Sequence, residues 1–471
     1  MSFASREFVL LLVATLVLLI AVRRVRWQNL CLLAISYYFY AYWDWRFLGL
    51  ILLSTVVDYA IGLRLERCEA ATARKCWLAA SMVTNLGLLG VFKYCNFFID
   101  NLRVALEPFG LNLQHLSIVL PVGISFYTFQ TMSYTVDVYR RQLPACRSFV
   151  DFALFVSFFP QLVAGPIVRA SELLPQIQRP RQLSSADMLA GFRQFTIGLF
   201  KKVFIADNLA SYVDFHFDNA GLFDAPSTWL AVMAYTIQIY CDFSGYSDMA
   251  IGTARMIGFH FSENFRLPYL SVSITEFWRR WHISLSSWLR DYLYIPLGGN
   301  RLGRVRTYVN LILTMLLGGL WHGASWNFAV WGLLHGGALS LHRRWRGRGE
   351  PIEQAASPVW YRLASWATTM LIVTGGWVLF RAASWHEAAL IFRQLLAARP
   401  GFHHVSPFAL LVVAGFMVHH GLIVSRWTES LRLPLELPLS SRLTPAALFT
   451  MLLLTLLHWP QAYQPFIYFQ F

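Results

Sequence analysis

The sequence has 471 residues, 56% of them hydrophobic, 16% aromatic and only 14% charged. Soluble domains carry roughly a quarter charged residues, so a water-soluble chain is excluded, and the mean hydropathy of +0.48 fits an integral membrane protein. The net charge of +14 calls for no nucleic-acid partner, because cytoplasmic loops of membrane proteins are enriched in Lys and Arg and that bias sets orientation.

A helix needs about 17–25 predominantly apolar residues to cross ~30 Å of hydrocarbon. In chain order, the apolar windows are Phe8–Val22, Leu30–Tyr42, Phe47–Leu63, Trp77–Phe92, Leu116–Val136, Phe149–Val163 and Met188–Lys201. They continue with Trp229–Tyr240, Tyr308–Trp321, Phe328–Leu341, Trp360–Phe380, Pro407–Val424 and Leu443–His458. Several are short for a full span, so some are expected to be tilted, broken or re-entrant. The expectation is an all-α polytopic membrane protein with about ten to twelve crossings. No polar stretch is long enough to fold alone, so residues 1–471 are read as a single integral membrane domain.

Arginine clusters fall at window ends: Arg23, Arg24 and Arg26, then Arg64, Arg67, Arg74 and Lys75, then Arg140, Arg141 and Arg147. Arg301, Arg304 and Arg306 precede the window ending near His322, and Arg343, Arg344, Arg346 and Arg348 follow the next. This pattern predicts an outside N-terminus. The first window is not read as a signal peptide, since its positive charge follows the apolar run. Cys31, Cys68, Cys76, Cys95, Cys146 and Cys241 form no CxxC pair, and neither a disulfide framework nor a metal site is indicated.

The least hydrophobic section, between Ser262 and Arg306, contains SITEFWRRWHISLSSWLRDYLYIPLGGN, residues 273–300. Trp278, Trp281, Leu285, Trp288 and Tyr292 recur every three to four residues, predicting one aromatic helical face, with Arg280, Ser284, Ser287 and Asp291 on another. Such a helix is expected to lie in the membrane interface, ended by Pro296 and Gly298–Gly299. Residues Val168 to Gln182, with two prolines and three arginines, read as a surface or re-entrant piece after the break at Gly165–Pro166.

Two histidines stand out. His322 lies in an apolar span among Gly318, Gly319 and Gly323, which leave room for a substrate or another backbone to approach. An imidazole kept neutral by a low-dielectric setting is a competent base; the plainer reading is a buried histidine that ties two helices together. His282 sits in the aromatic segment, where interfacial anchoring is the plainer role. Asp242, Asp248 and Glu263, with Tyr240 and Tyr246, form a polar cluster; the two aspartates can orient a histidine or simply form a hydrogen-bonded knot. His335 lies 13 residues beyond His322, about 140° away on one continuous helix, so it is read as structural. There is no GxxxxGK[ST], HExxH or GxSxG signature.

The stretches YYFYAYWDWRF, PVGISFYTFQTMSYTVDVYR, FFPQLVAGPIVR, IYCDFSGYSDMAIG and NFRLPYLSVSITEFWRRWHISLSSWLRDYLYIPLGGNR, with LLGGLWHGASWNFAVWGLLHG and FIYFQF, together resemble the membrane-bound O-acyltransferase family, in its bacterial polysaccharide branch. The resemblance runs through nearly the whole chain. It implies that His322 is the catalytic histidine and that His282 occupies the second active-site position. It further implies acetyl transfer from cytosolic acetyl-CoA toward an exported polysaccharide such as alginate or cellulose, through a periplasmic SGNH-type acetyltransferase partner. The setting would be the bacterial cytoplasmic membrane, with no bound cofactor.

On this reading His322 removes the acceptor hydroxyl proton, and His282 hydrogen-bonds the oxyanion or the leaving thiolate. Arg279, Arg280 and Arg290, with Arg301 and Arg304, offer a landing surface for donor phosphates. Two rivals remain: a D-alanyl transferase for teichoic acid using a carrier-protein thioester, and a polysaccharide or lipid transporter with histidines in a proton pathway. No internal repeat or series of paired charges supports the transporter.

Overall fold

The computed structural model describes residues 1–109, 114–347, 358–397, 399–424, 443–459 and 466–467. Arg348 of the last arginine cluster and residues 468–471 of the FIYFQF stretch lie outside the described residues. Among the described residues the regular structure is helical, apart from one isolated parallel bridge between Phe223 and Phe402. Three helical stretches, Trp45–Arg67, Ala71–Phe109 and Val359–Arg381, are long and apolar enough to cross a membrane by length and composition. Pro407–Gly421 and Thr444–Leu457 are shorter apolar helices.

The chain divides into two compact units. The first comprises residues 1–195 and 249–262. There the helix Leu48–Arg67 packs on Ala71–Leu89 and Ile124–Tyr139, and Val25–Ala41 packs on Phe149–Ser157. Asp58 is fully buried between these helices and accepts from Ser81 Oγ at 2.5 Å, Asn85 Nδ2 at 2.7 Å and Thr135 Oγ1 at 3.1 Å. A carboxylate taken from water has to be met this way. The window Leu116–Val136 turns helical only at Ile124, and Phe149–Val163 is broken at Phe158 before Pro160. Residues Ala170–Gln178 do form a separate short helix, with Leu173, Leu174 and Ile177 buried.

The second unit comprises residues 196–248 and 263–471. Its helices Arg304–His322 and Trp326–Arg346 form a tight hairpin, and Val359–Arg381 packs on the second of them. The window read as Trp229–Tyr240 belongs to a helix of 32 residues, Ala225–Met256. The IYCDFSGYSDMA cluster therefore lies inside that helix. Asp242, Ser247 and Asp248 meet partners on other segments there.

Candidate active site

The aromatic segment is not one helix. Ile274–Arg280 opens with Ser273 Oγ accepting from the Glu276 N–H at 3.2 Å, a side-chain cap that satisfies a first-turn donor. It stops at Trp281, whose backbone is extended, and His282 follows in the left-handed region with φ 43°. A second helix, Ile283–Leu289, then begins and passes into a wider turn at Arg290–Tyr294. Left-handed backbone costs a non-glycine residue about 1–2 kcal/mol, so the kink persists only because neighbouring contacts hold it. Trp278, Trp281, Leu285 and Trp288 are all buried; the aromatic face expected to meet the membrane interface is packed inside the unit. Trp281 rests on Phe265 at 5.0 Å and Trp377 at 4.8 Å, partners that the sequence pattern could not supply.

Asn264 holds the kink. Its Oδ1 accepts from the Ser284 N–H at 3.1 Å and from Ser284 Oγ at 2.9 Å, and lies 3.2 Å from His282 Nδ1. The backbone N–H can only donate, which fixes this atom as the amide oxygen. Nδ1 therefore carries the proton facing it. A neutral His282 ring then presents a lone pair at Nε2 and can donate there only when protonated. Nε2 is buried with no protein hydrogen-bond partner among the described residues. Asn264 Nδ2 in turn donates to Ser247 Oγ at 3.1 Å. The sequence reading missed Asn264; its only signal was an amide opening NFRLPYL in a stretch otherwise read for aromatics and charge.

His322 is the last residue of Arg304–His322 and is buried. Three rings present themselves nearly edge-on: Trp321 at 5.1 Å, Trp331 at 5.3 Å and Phe380 at 5.3 Å between centroids. Trp321 also lies 6.3 Å from the ring of His282. The two histidines, 40 residues apart in sequence, thus pack against the same indole.

The glycines near His322 serve the hairpin. A Cβ at Gly319 would lie 2.2 Å from the Phe328 carbonyl oxygen, and one at Gly323 would lie 2.0 Å from the Phe328 ring. At Gly319 the close approach is backbone to backbone, while at Gly323 it is made by the Phe328 ring. The chain reverses between His322 and Trp326, so the continuous-helix argument about His335 does not hold. His335 lies one turn beyond Trp331 on the second helix, 4.7 Å from that indole, which also contacts His322. It is fully buried, and neither ring nitrogen has a protein hydrogen-bond partner among the described residues.

The described ion-pair partners of the two aspartates are lysines. Lys202 Nζ bridges Asp242 Oδ1 at 2.5 Å and Asp207 Oδ1 at 2.7 Å, and Lys201 Nζ meets Asp248 Oδ2 at 2.8 Å. This is the knot reading of the cluster. Glu263 faces away and pairs with Arg266 at 3.1 Å. Lys201 and Lys202 are the signal in sequence for this arrangement, since two adjacent lysines inside an apolar run demand carboxylate partners.

The arginines are less uniform than their spacing suggests. Arg279 is exposed. Arg280 pairs with Glu276 at 2.8 Å and donates to the Arg266 carbonyl at 3.3 Å. Arg290 is exposed and paired with its neighbour Asp291 at 2.7 Å. Among the described residues no group of three or more His, Cys, Asp or Glu is placed to hold a metal ion.

Residues 138–385 match the sequence model of the MBOAT, membrane-bound O-acyltransferase family. The chain is 48% identical to the probable alginate O-acetylase of Azotobacter vinelandii, over 83% of this chain and 78% of that protein. It is 38% identical to the peptidoglycan O-acetyltransferase of Helicobacter pylori, over 78% of this chain and 73% of that one. Similarity to the teichoic acid D-alanyltransferase of Bacillus subtilis falls to 26%, over 56% of this chain and 70% of that one.

Proposed function

Because the chain belongs to the membrane-bound O-acyltransferase family, we propose that it moves an acetyl group from cytosolic acetyl-CoA toward a hydroxyl acceptor on the far side of the bacterial cytoplasmic membrane. The end product on this reading is an O-acetylated exported polysaccharide of the alginate class. The observation that supports it is that His282 and His322 both lie beside Trp321, at ring-centroid distances of 6.3 and 5.1 Å.

The acceptor hydroxyl gives its proton to His322 as its oxygen attacks the thioester carbonyl. The C–S bond breaks, and the thiolate leaves as the thiol by recovering that proton, so ester and thiol form with no net proton change. His282, with Nδ1 committed to Asn264, meets the reacting atoms through Nε2. It accepts there while neutral, and to donate to the oxyanion or thiolate it must first take over the one proton released by the hydroxyl, which the thiol then carries away. Exposed Arg279 and Arg290, with Arg280 beside them, attract the phosphates of the donor.

A periplasmic SGNH-type partner then carries the acetyl group to the sugar. The D-alanyl alternative is weaker, since the similarity to D-alanyltransferases is far lower than to the two O-acetylating relatives. The test is transfer of label to a hydroxyl acceptor by the purified protein with its partner, offered radiolabelled acetyl-CoA or a D-alanyl carrier-protein thioester. Transfer from acetyl-CoA alone is expected; transfer only from the carrier thioester would overturn the donor.

A further inference from the structure

Asp242 and Phe243 are consecutive residues of the helix Ala225–Met256, and both end on the same far-removed pair of residues. The Ile467 N–H donates to Asp242 Oδ2 at 2.9 Å, while Oδ1 of that carboxylate takes Lys202 Nζ at 2.5 Å. Lys202 is shared with Asp207, so one ammonium serves two buried carboxylates. The N–H of Ile467 supplies a donor that the lysine does not. Phe466 and Ile467 are only 2% and 3% exposed. Phe466 lies against Tyr246 at 4.9 Å and Phe243 at 5.5 Å, and Phe243 meets the His282 imidazole at 4.6 Å with the rings nearly perpendicular.

We propose that the Phe466–Ile467 segment is a positioning element of the transfer site. Docked on Asp242, it presses Phe466 onto Phe243, and Phe243 sets the plane of the His282 ring. Asn264 fixes which nitrogen carries the proton; the 466–467 segment fixes where the other nitrogen points. Asp242 therefore acts on the histidine indirectly, through a docked segment and an aromatic wall. This rests on the reading that His282 takes part in transfer.

The experiment is a kinetic cycle on the full chain with its partner. Phe466→Ala is expected to lower kcat about tenfold with the KM for acetyl-CoA unchanged, the mark of a misplaced catalytic group. Phe466→Leu, which refills the space against Phe243, is expected to recover most of the rate. In a His282→Asn background, Phe466→Ala should change kcat less than about twofold, because the ring it positions is gone and the two effects are not additive. Asp242→Asn, which weakens the hold on Lys202 but keeps an acceptor for Ile467, should fall between wild type and Phe466→Ala. Equal losses in the two backgrounds, or lowered thermal stability with kcat per folded molecule unchanged, would overturn the positioning role alone. Wild-type rates in both His282→Asn and His282→Ala would overturn the reading of His282, and this proposal with it.

Discussion

His282 and His322 touch the same indole but are held by different physics. His282 sits at a backbone kink, its Nδ1 tied to Asn264, whose oxygen also takes two groups of Ser284. His322 ends a regular helix among ring edges from Trp321, Trp331 and Phe380. At His282 the hydrogen bonds fix a tautomer and a direction; at His322 the packed rings fix a position and exclude water. A group that must present one chosen nitrogen suits the first setting. The difference teaches that two similar residues beside one indole can be held in place by unlike contacts.

The sharpest way to break this comparison is to remove each ring. Loss of a general base costs about 10²–10⁴-fold in rate, so His322→Ala and His322→Asn should both abolish acetylation while inserting normally. At His282 an amide can still offer a polar atom toward the site, so His282→Asn should retain activity that His282→Ala lacks. Acetylation by His322→Ala within about threefold of wild type would end the assignment of the base.

Removing the support rather than the ring gives a smaller effect. Asn264→Ala leaves the Ser284 N–H and the His282 Nδ1–H without their acceptor, and a buried group so orphaned costs about 1–3 kcal/mol. Activity should fall about tenfold to a hundredfold, at 1.4 kcal/mol per decade, with His322 untouched. An active Asn264→Ala enzyme would show that the hydrogen bonds do not define His282.

The corresponding test at His322 is steric. Gly319→Ala drives a Cβ into the Phe328 carbonyl, and overpacking of this kind costs about 1–3 kcal/mol, read as lower thermal stability. Gly337→Ala on the same hairpin meets no atom within 4 Å. It should be neutral or slightly stabilising, because alanine is the better helix former by about 1 kcal/mol.

Much of this arrangement was legible before any coordinates. Chemistry that is costly in apolar surroundings announces itself, which is why His322 and His282 stand out as candidates, while the roles given to them come from the family resemblance. Several helical windows also came through, most closely Pro407–Val424, whereas Leu116–Val136 and Phe149–Val163 did not do so whole. What escaped was whatever depends on a partner distant in sequence. The periodicity of Trp278, Trp281, Leu285, Trp288 and Tyr292 reads as a single helix because a stop at Trp281 and a left-handed His282 are imposed by Asn264, about twenty residues earlier in the chain. His335 is placed by angle along one helix, yet the turn at Gly323–Ser325 starts a new helix, on which His335 lies one turn from Trp331, the indole that contacts His322. Asp242 is open to two readings in sequence, a histidine partner or a hydrogen-bonded knot, and which one holds depends on Lys202, 40 positions away, which meets its charge.

The smallest expected effect lies just upstream of His282, at Arg279 and Arg280, where donor attraction and local structure give different answers. The ion pair of Arg280 with Glu276 is partly exposed, and such pairs contribute about 0–1 kcal/mol. A lysine at 280 can keep most of it, so stability should not change in the double variant Arg279→Lys with Arg280→Lys. If the two guanidinium groups grip donor phosphates, planar two-point geometry matters and an ammonium is a poor substitute. The KM for acetyl-CoA should then rise by about threefold to tenfold at unchanged kcat, the pattern of lost ground-state binding. Raised ionic strength should weaken the wild type in the same direction and the variant less, since exposed charge–phosphate attraction is screened. Titration of acetyl-CoA at two salt concentrations separates the cases. An unchanged KM would leave Arg280 as a helix-end tether through Glu276 and the Arg266 carbonyl, and would move the donor contact to Arg290 or the cluster at Arg301–Arg306.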